Sequence, residues 1–239
     1  MNRLLFLLKE KSNKEKEISC RIVTFLNPYS YLIARKEIDM LSHLDCILYD
    51  GVLLVFLMRL AGSNVQRTSF DMTSLAPVVF REASESGNDI YFLGSEPGVA
   101  DEAVARFKHA FPKLKVCGTR HGFFANVQER NDVIAELVEK NPSIVVVGMG
   151  TPAQEKFLVD LKAAGWMGKG YTCGGFLHQT ARGGTQYYPE WMDRMNLRWL
   201  YRMIDEPKLI RRYFLDYPKF ILVFAYDLSC YWTQMLRRR

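Results

Sequence analysis

The stretch SIVVVGMGTPAQEKF (143–157) decides the fold. Its run Ile144–Val147 is apolar at consecutive positions, as a strand buried on both faces requires. Gly148 and Gly150 then allow a tight turn, and the next residues follow the order of a helix start. Thr151 reads as the N-cap, Pro152 as the first helical residue and Gln154 as the capping-box partner. Free amides at such a start face an anion. Gly148, Gly150, Thr151, Gln154 and the adjoining Glu155 therefore read either as a diphosphate seat or as an ordinary capped turn.

The same rhythm extends in both directions. Short apolar runs occur at EISCRIVTF (17–25), CILY (46–49), IYFLG (90–94), LKVCG (114–118) and KGYTCGG (169–175). Between them lie helical patterns at 28–43, 97–111 and 127–141. This alternation predicts an α/β core over residues 1–184, a Rossmann-like, mostly parallel sheet covered by helices, with ligands at the strand C-terminal ends. After Gly184 the texture becomes aromatic and arginine-rich, which predicts a helical appendage over 185–239. No solenoid repeat and no Ser/Gly linker separates it, so it is expected to pack on the core. Truncation after about Pro189 is nevertheless expected to leave a folded core. At the other end, Leu4–Leu8 is too short for a secretory signal, and MNRLLFLLKEKSNKEK reads as a frayed helix or tail. The longest apolar run, FILVFAYDLSCYWTQML (220–236), is interrupted by Asp227 and falls short of a membrane span.

Composition excludes other classes. With 49% hydrophobic and 24% charged residues over 239 positions, the chain is neither disordered nor low-complexity. A net charge of +6 predicts acidic partners: nucleic acid, anionic lipid or phosphorylated small molecules. The five cysteines, at 20, 46, 117, 173 and 230, form no CxxC pair, and their odd number argues against a secreted disulfide framework, favouring a reducing cytoplasm. His43, His109, His121 and His178 lack ligand spacing, so neither a metal nor a cofactor is expected. GxGxxG, GxxxxGK[ST] and GxSxG are absent, which disfavours dehydrogenase, NTPase and serine-hydrolase chemistry. No DxD is present to hold a metal-bound sugar nucleotide, so arginines and helix ends would have to stabilise a leaving diphosphate.

Three further features carry chemistry. In CILYDGVLLVFLMRL (46–60), Asp50 stands at a strand end between apolar runs, either as a general base in an apolar setting or as part of a plain Asp-Gly turn. GSEPGVADEA (94–103) repeats the strand–turn–helix design with Gly94 at the turn, although Glu96 would repel a phosphate there. In the tail, Arg194, Arg198 and Arg202 share one helical face among tryptophans and tyrosines. That pattern fits an interfacial helix on anionic lipid, a solvated face over a core stripe, or a nucleic-acid patch, the last without any recognition motif.

Six blocks, in order, resemble the WecG/TagA/CpsF family of bacterial glycosyltransferases: LNPY (26–29), YDG (49–51), IYFLGSEPGVADEA (90–103), FPKLKVCGTRHGFF (111–124), VVVGMGTPAQEKF (145–157) and WMDRMNLRWLYRMIDEPKLIRRY (191–213). The resemblance implies an inverting, metal-independent enzyme that moves a sugar from a UDP-sugar to a polyprenyl-diphosphate-linked sugar. Its product would be a cell-surface polysaccharide, made peripherally on the inner face of the cytoplasmic membrane. It implies Asp50 as base, Asn27 near sugar or acceptor, Arg67 near phosphates, Gln154 near the transferred sugar, and Arg202 and Arg212 neutralising diphosphate. The chain departs from the family pattern at four places. Phe25 stands for a threonine, RTSFDM (67–72) is one residue short and lacks a glycine, YYP (187–189) replaces RAP, and Leu209 replaces an arginine. These departures bear on sugar choice, with stacking on Phe25 or Tyr187 as one way to read them. A nicotinamide oxidoreductase and a non-catalytic membrane-tethered scaffold are the competing readings, and the sequence leaves the oligomeric state open, a homo-oligomer included.

Overall fold

The computed structural model describes residues 4–12, 20–185, 187, 191–192, 195 and 197–237. Tyr188, Pro189 and Arg194, named above, lie outside them. Six strands, β1 (Ile22–Leu26), β2 (Cys46–Tyr49), β3 (Asp89–Gly94), β4 (Lys115–Arg120), β5 (Ile144–Gly148) and β6 (Lys169–Thr172), form one sheet in the order β2-β1-β6-β5-β3-β4. Every pairing is parallel. Helices α1 (Leu4–Lys11), α2 (Pro28–Ala34), α3 (Ile38–Ser42), α4 (Val52–Leu60), α5 (Ala76–Ser86), α6 (Val99–Ala110), α7 (Val127–Lys140), α8 (Ala153–Ala163) and α9 (Phe176–Gly183) surround it. The last part of the chain runs through a helix at Arg198–Asp205, a short helix at Lys208–Arg211, a π-helical turn at Arg212–Asp216 and a C-terminal helix at Tyr217–Arg237.

Alternation along the strands divides the core in two, because successive side chains point to opposite faces. Tyr91, Leu93, Val145 and Val147 pack with α1, α2, α4, α7, α8 and the C-terminal helix. Ile90, Phe92, Ile144 and Val146 pack on the other face with α5, α6 and α9, in a cluster dominated by Phe70, Phe80, Phe107 and Phe176. The stretch 28–43 is two helices rather than one, separated where Arg35 and Lys36 close the first with turn-type hydrogen bonds.

Four sequence expectations are corrected here. The N-terminal segment is a packed helix: Leu4, Leu5 and Leu8 are buried, Phe6 meets Tyr231 at 4.6 Å, and Lys9 Nζ lies 4.3 Å above the Tyr231 ring. Its apolar residues fill a groove beside the C-terminal helix. Phe220, Phe224 and Tyr231 belong to the main core, so truncation before them would open that core. Cys20 and Cys46 are joined in a disulfide, brought together by the β1–β2 pairing that their separation of 26 residues hides. Asp227, read as an interruption, is a buried anchor. Its Oδ2 accepts from Tyr31 Oη at 2.8 Å and its Oδ1 pairs with Arg35 Nη2 at 2.8 Å.

Among the described residues, no helix is long and apolar enough to cross a membrane. The Asp227 anchor ties the C-terminal helix to α2, and removing one partner of a buried ion pair leaves the other uncompensated. Asp227→Ala is expected to lower stability by about 3 kcal/mol, read as a fall in the urea midpoint with an unchanged denaturant slope.

Candidate active site

All six strands end on one edge, and the loops beyond β1, β2, β5 and β6 enclose two adjoining cavities. The first, of about 400 Å³, is lined by Phe25, Asn27, Asp50, Asp71, Gly150, Thr151, Gln154, Gly174, Arg202 and Arg212, among others. The second, of about 720 Å³, is walled by Val52, Leu53, Phe56, Trp199, Phe214 and Tyr217, with Arg67 at its polar end. Asn27, Asp50, Asp71 and Arg202 line both. One chamber is mostly polar, the other mostly apolar, and Asp50 stands where they meet.

Local structure explains these placements. The Asp50 amide donates to Leu26 O at 2.7 Å, which fixes the carboxylate beside the end of β1. Gly51, at φ +92°, turns the chain into α4. Arg67 is held beside β2 by a bridge to Tyr49, reinforced by Thr68 N donating to Tyr49 O at 2.9 Å. Its Nε lies 3.6 Å from Asp50 Oδ1. The setting of Asp50 is thus not purely apolar as expected, since a guanidinium stands against it. Asn27 caps α2, its Oδ1 accepting from Ser30 N at 3.0 Å while Ser30 Oγ accepts from Asn27 N at 2.8 Å. That capping box was legible in N-P-Y-S and passed over. Arg212 lies flat on Tyr29, 3.8 Å from the ring centroid, and Arg202 Nη2 reaches Glu206 Oε1 at 3.2 Å.

The GMGTPAQE turn differs from its sequence reading. Helix α8 starts at Ala153, Pro152 is its N-cap residue after a cis Thr151–Pro152 peptide, and the helix has no side-chain cap. Thr151 is therefore not the N-cap, and its hydroxyl donates to Glu155 Oε1 at 3.1 Å. Gln154 lines the first cavity with its amide already engaged. Its Nε2 donates to Glu155 Oε1 at 3.0 Å and its Oε1 accepts from Gly174 N at 3.1 Å. Glu155 itself is fully buried beneath the cavity rather than in it. Its Oε1 also accepts from Thr24 Oγ1 at 2.9 Å, while its Oε2 has no partner. Burial raises the pKa of this carboxyl, outweighing the hydrogen bonds from Gln154, Thr24 and Thr151 that favour its ionised form.

Of the remaining expected residues, Gly94 and Gly148 line neither cavity. A Cβ on Gly94 would lie 2.3 Å from Gly148 O, so Gly94 serves the close approach of β3 to β5. Tyr187 lines neither of the two cavities either. It packs edge-on against Tyr201 and its hydroxyl bonds Asp205. Leu209 is buried and lines the first cavity where the family pattern has an arginine. Among the described residues no cluster of three or more His, Cys, Asp or Glu side chains could hold a metal.

The structure adds residues that sequence reasoning missed. Asp71 accepts from Thr73 N at 2.8 Å and Ser69 Oγ at 2.7 Å. Tyr213 of the π-helical turn and Tyr217, the first residue of the C-terminal helix, are 4.7 Å apart between ring centroids and line the apolar cavity. Burial, first, raises the pKa of Tyr217, and the neighbouring Tyr213 and the Asp50 carboxylate add to that rise, so the phenol stays neutral beside Asp50. The only available signal was the Asp in RTSFDM; Tyr213 and Tyr217 carried none, because the long-range return of the tail was not readable.

Residues 1–232 match the profile of the Glycosyl transferase WecG/TagA/CpsF family. The chain is 38% identical, over 85% of its own length and 85% of the relative's, to a UDP-Gal:alpha-D-GlcNAc-diphosphoundecaprenol beta-1,4-galactosyltransferase of Shigella boydii. It is 29% identical, over 84% of its length and 77% of the relative's, to an N-acetylglucosaminyldiphosphoundecaprenol N-acetyl-beta-D-mannosaminyltransferase of Bacillus subtilis (strain 168).

Glu155 generates a test with a definite sign. Below the ordinary carboxyl value of 4.5 both folded and unfolded chains hold its proton. Above it the unfolded chain releases the proton and the folded chain keeps it, so stability falls as pH rises until the folded group ionises. Glu155→Gln retains an acceptor for Thr24, Thr151 and Gln154 and removes that slope. Urea unfolding from pH 4 to 8 should show the variant gaining on the parent chain as pH rises.

Proposed function

The chain belongs to the WecG/TagA/CpsF family of glycosyl transferases, and on that premise we propose how its two cavities divide the work. It is a glycosyltransferase that moves a sugar from a UDP-sugar to a polyprenyl-diphosphate-linked sugar in polysaccharide biosynthesis. The donor occupies the polar cavity and the lipid-linked acceptor enters from the apolar one. The observation that carries this division is that Asp50 lines both.

Asp50 takes the proton of the acceptor hydroxyl as that oxygen attacks the anomeric carbon. The new C–O bond forms as the bond to the diphosphate oxygen breaks, UDP leaves with the electron pair, and the anomeric configuration inverts. Arg202 and Arg212, both lining the donor cavity, neutralise the charge that develops on the departing diphosphate. Arg67 holds Asp50 in line and approaches the acceptor diphosphate from the apolar side. Gln154 acts by bracing the β6–α9 loop to α8. The neutral phenols of Tyr213 and Tyr217 exclude water from the reacting atoms.

Phe214, which lines the apolar cavity, is exposed, as are Leu215, Ile221 and Leu222 further along the same stretch of chain. These residues support a reading in which the apolar cavity opens toward a membrane surface that holds the polyprenyl chain of the acceptor, with the enzyme peripheral on the cytoplasmic face.

Asp50→Asn preserves size and removes the base. Transfer assayed as UDP release in the presence of a short-chain polyprenyl-diphosphate-GlcNAc should fall roughly 10²–10⁴-fold in kcat, with little change in donor KM. Near-parent turnover by this variant would remove Asp50 from the role, and sensitivity of the parent enzyme to EDTA would overturn the metal-independent mechanism.

A further inference from the structure

One wall of the donor cavity is aromatic. Phe25, at the end of β1, is half-buried and faces the cavity. Its ring centroid is 6.2 Å from that of Phe70, at 55°. Phe70 is fixed in turn, stacked on Tyr171 at 5.1 Å and set edge-on to Phe176 at 5.9 Å. Two of the departures from the family pattern, Phe25 in place of a threonine and Phe70 within the shortened RTSFDM block, are thus in contact with one another. They form a single surface beside Asn27 and Asp50.

Two of the polar side chains that line the cavity are committed to the protein itself. The Gln154 amide spends its oxygen on Gly174 N at 3.1 Å and its nitrogen on Glu155 Oε1 at 3.0 Å. The Thr151 hydroxyl hydrogen goes to Glu155 as well. A pyranose ring presents a face of C–H groups that stacks on aromatic carbon, and its hydroxyls can turn toward solvent. A 2-acetamido group brings in addition an amide that must find partners or be buried unpaired, at a cost.

We propose that Phe25, backed by the buried Phe70, forms the seat of the transferred sugar and that this seat selects a UDP-hexose with a free 2-hydroxyl over a UDP-N-acetylhexosamine. The inference rests on the placement of the donor in the cavity beside Asp50 and names the class of sugar held there. The Phe25 ring carries the sugar rather than the nucleobase because it adjoins Asp50, where the anomeric carbon reacts, and two phosphates separate that carbon from the nucleoside.

The test compares kcat/KM for UDP-galactose and UDP-glucose with that for UDP-GlcNAc, UDP-GalNAc and UDP-ManNAc, with UDP affinity measured by calorimetry. The parent enzyme should prefer one hexose at least tenfold. Phe25→Leu keeps the bulk and removes the ring face, and should lower kcat/KM for that hexose roughly three- to tenfold, the worth of one aromatic contact, without changing UDP affinity. Phe25→Tyr should restore it, and Phe25→Thr should bring hexose and N-acetylhexosamine rates together. Preference of the parent enzyme for an N-acetylhexosamine, an unchanged donor ratio in Phe25→Thr, or an equal loss of UDP affinity in Phe25→Leu would each overturn the proposal. Failure of the Asp50 assignment is read separately, as turnover by Asp50→Asn with the donor ratio intact.

Discussion

All six strands run the same way, and the rest of the molecule follows from that constraint. A parallel sheet exposes no face to water, so both must be covered by helices, and every strand delivers its C-terminal end to the same edge. Covering one face takes more than the helices between strands supply. The chain uses its two extremities, α1 and the C-terminal helix, to finish the core over Tyr31, Leu26 and Tyr49. The same return of the tail lays Trp199, Arg202, Arg212, Tyr213 and Tyr217 across the strand ends, so completing the core and closing the site are one event.

Two buried carboxylates hold this arrangement at its joints. Asp227 gathers Tyr31 and Arg35 and fixes how the tail lies on α2, whose first residues follow Asn27. Glu155 gathers Thr24 from β1 with Thr151 and Gln154 from the β5–α8 turn. Thr24 also meets Thr172 of β6 at 2.9 Å, so β1, β6 and the β5–α8 turn are tied beneath the polar cavity through hydroxyl, amide and carboxyl groups. Such networks are costly unless satisfied, and in return they fix one geometry for the loops above them.

The division between a polar and an apolar cavity matches a reaction whose substrates differ in the same way. A nucleotide sugar needs hydrogen-bonding walls and positive charge, and a polyprenyl-linked acceptor needs an apolar approach. The carboxylate where the two cavities meet, Asp50, is paired with Arg67 at 3.6 Å. Phe25, packed on Phe70, adds aromatic carbon to the lining of the polar cavity at a position where the family pattern has a threonine.

The sequence by itself determined the βα rhythm, the strand ends on which Asn27, Asp50, Gly150 and Thr151 stand, and the identity of the family. These depend on neighbours within a few residues, which periodicity and motif order record directly. It also marked Arg67, Arg202 and Arg212, through ordered blocks rather than through any local signal. Tertiary structure decided that Glu155 and Gln154 brace the site from within, that Gly94 and Gly148 serve strand approach, that Cys20 meets Cys46, and that the N-terminal leucines are core. It also decided that Asp71, Tyr213 and Tyr217 join Asp50. Each of these depends on which distant segment fills the space beside a residue, and burial or contact between segments far apart in the chain leaves no periodic trace in a single sequence.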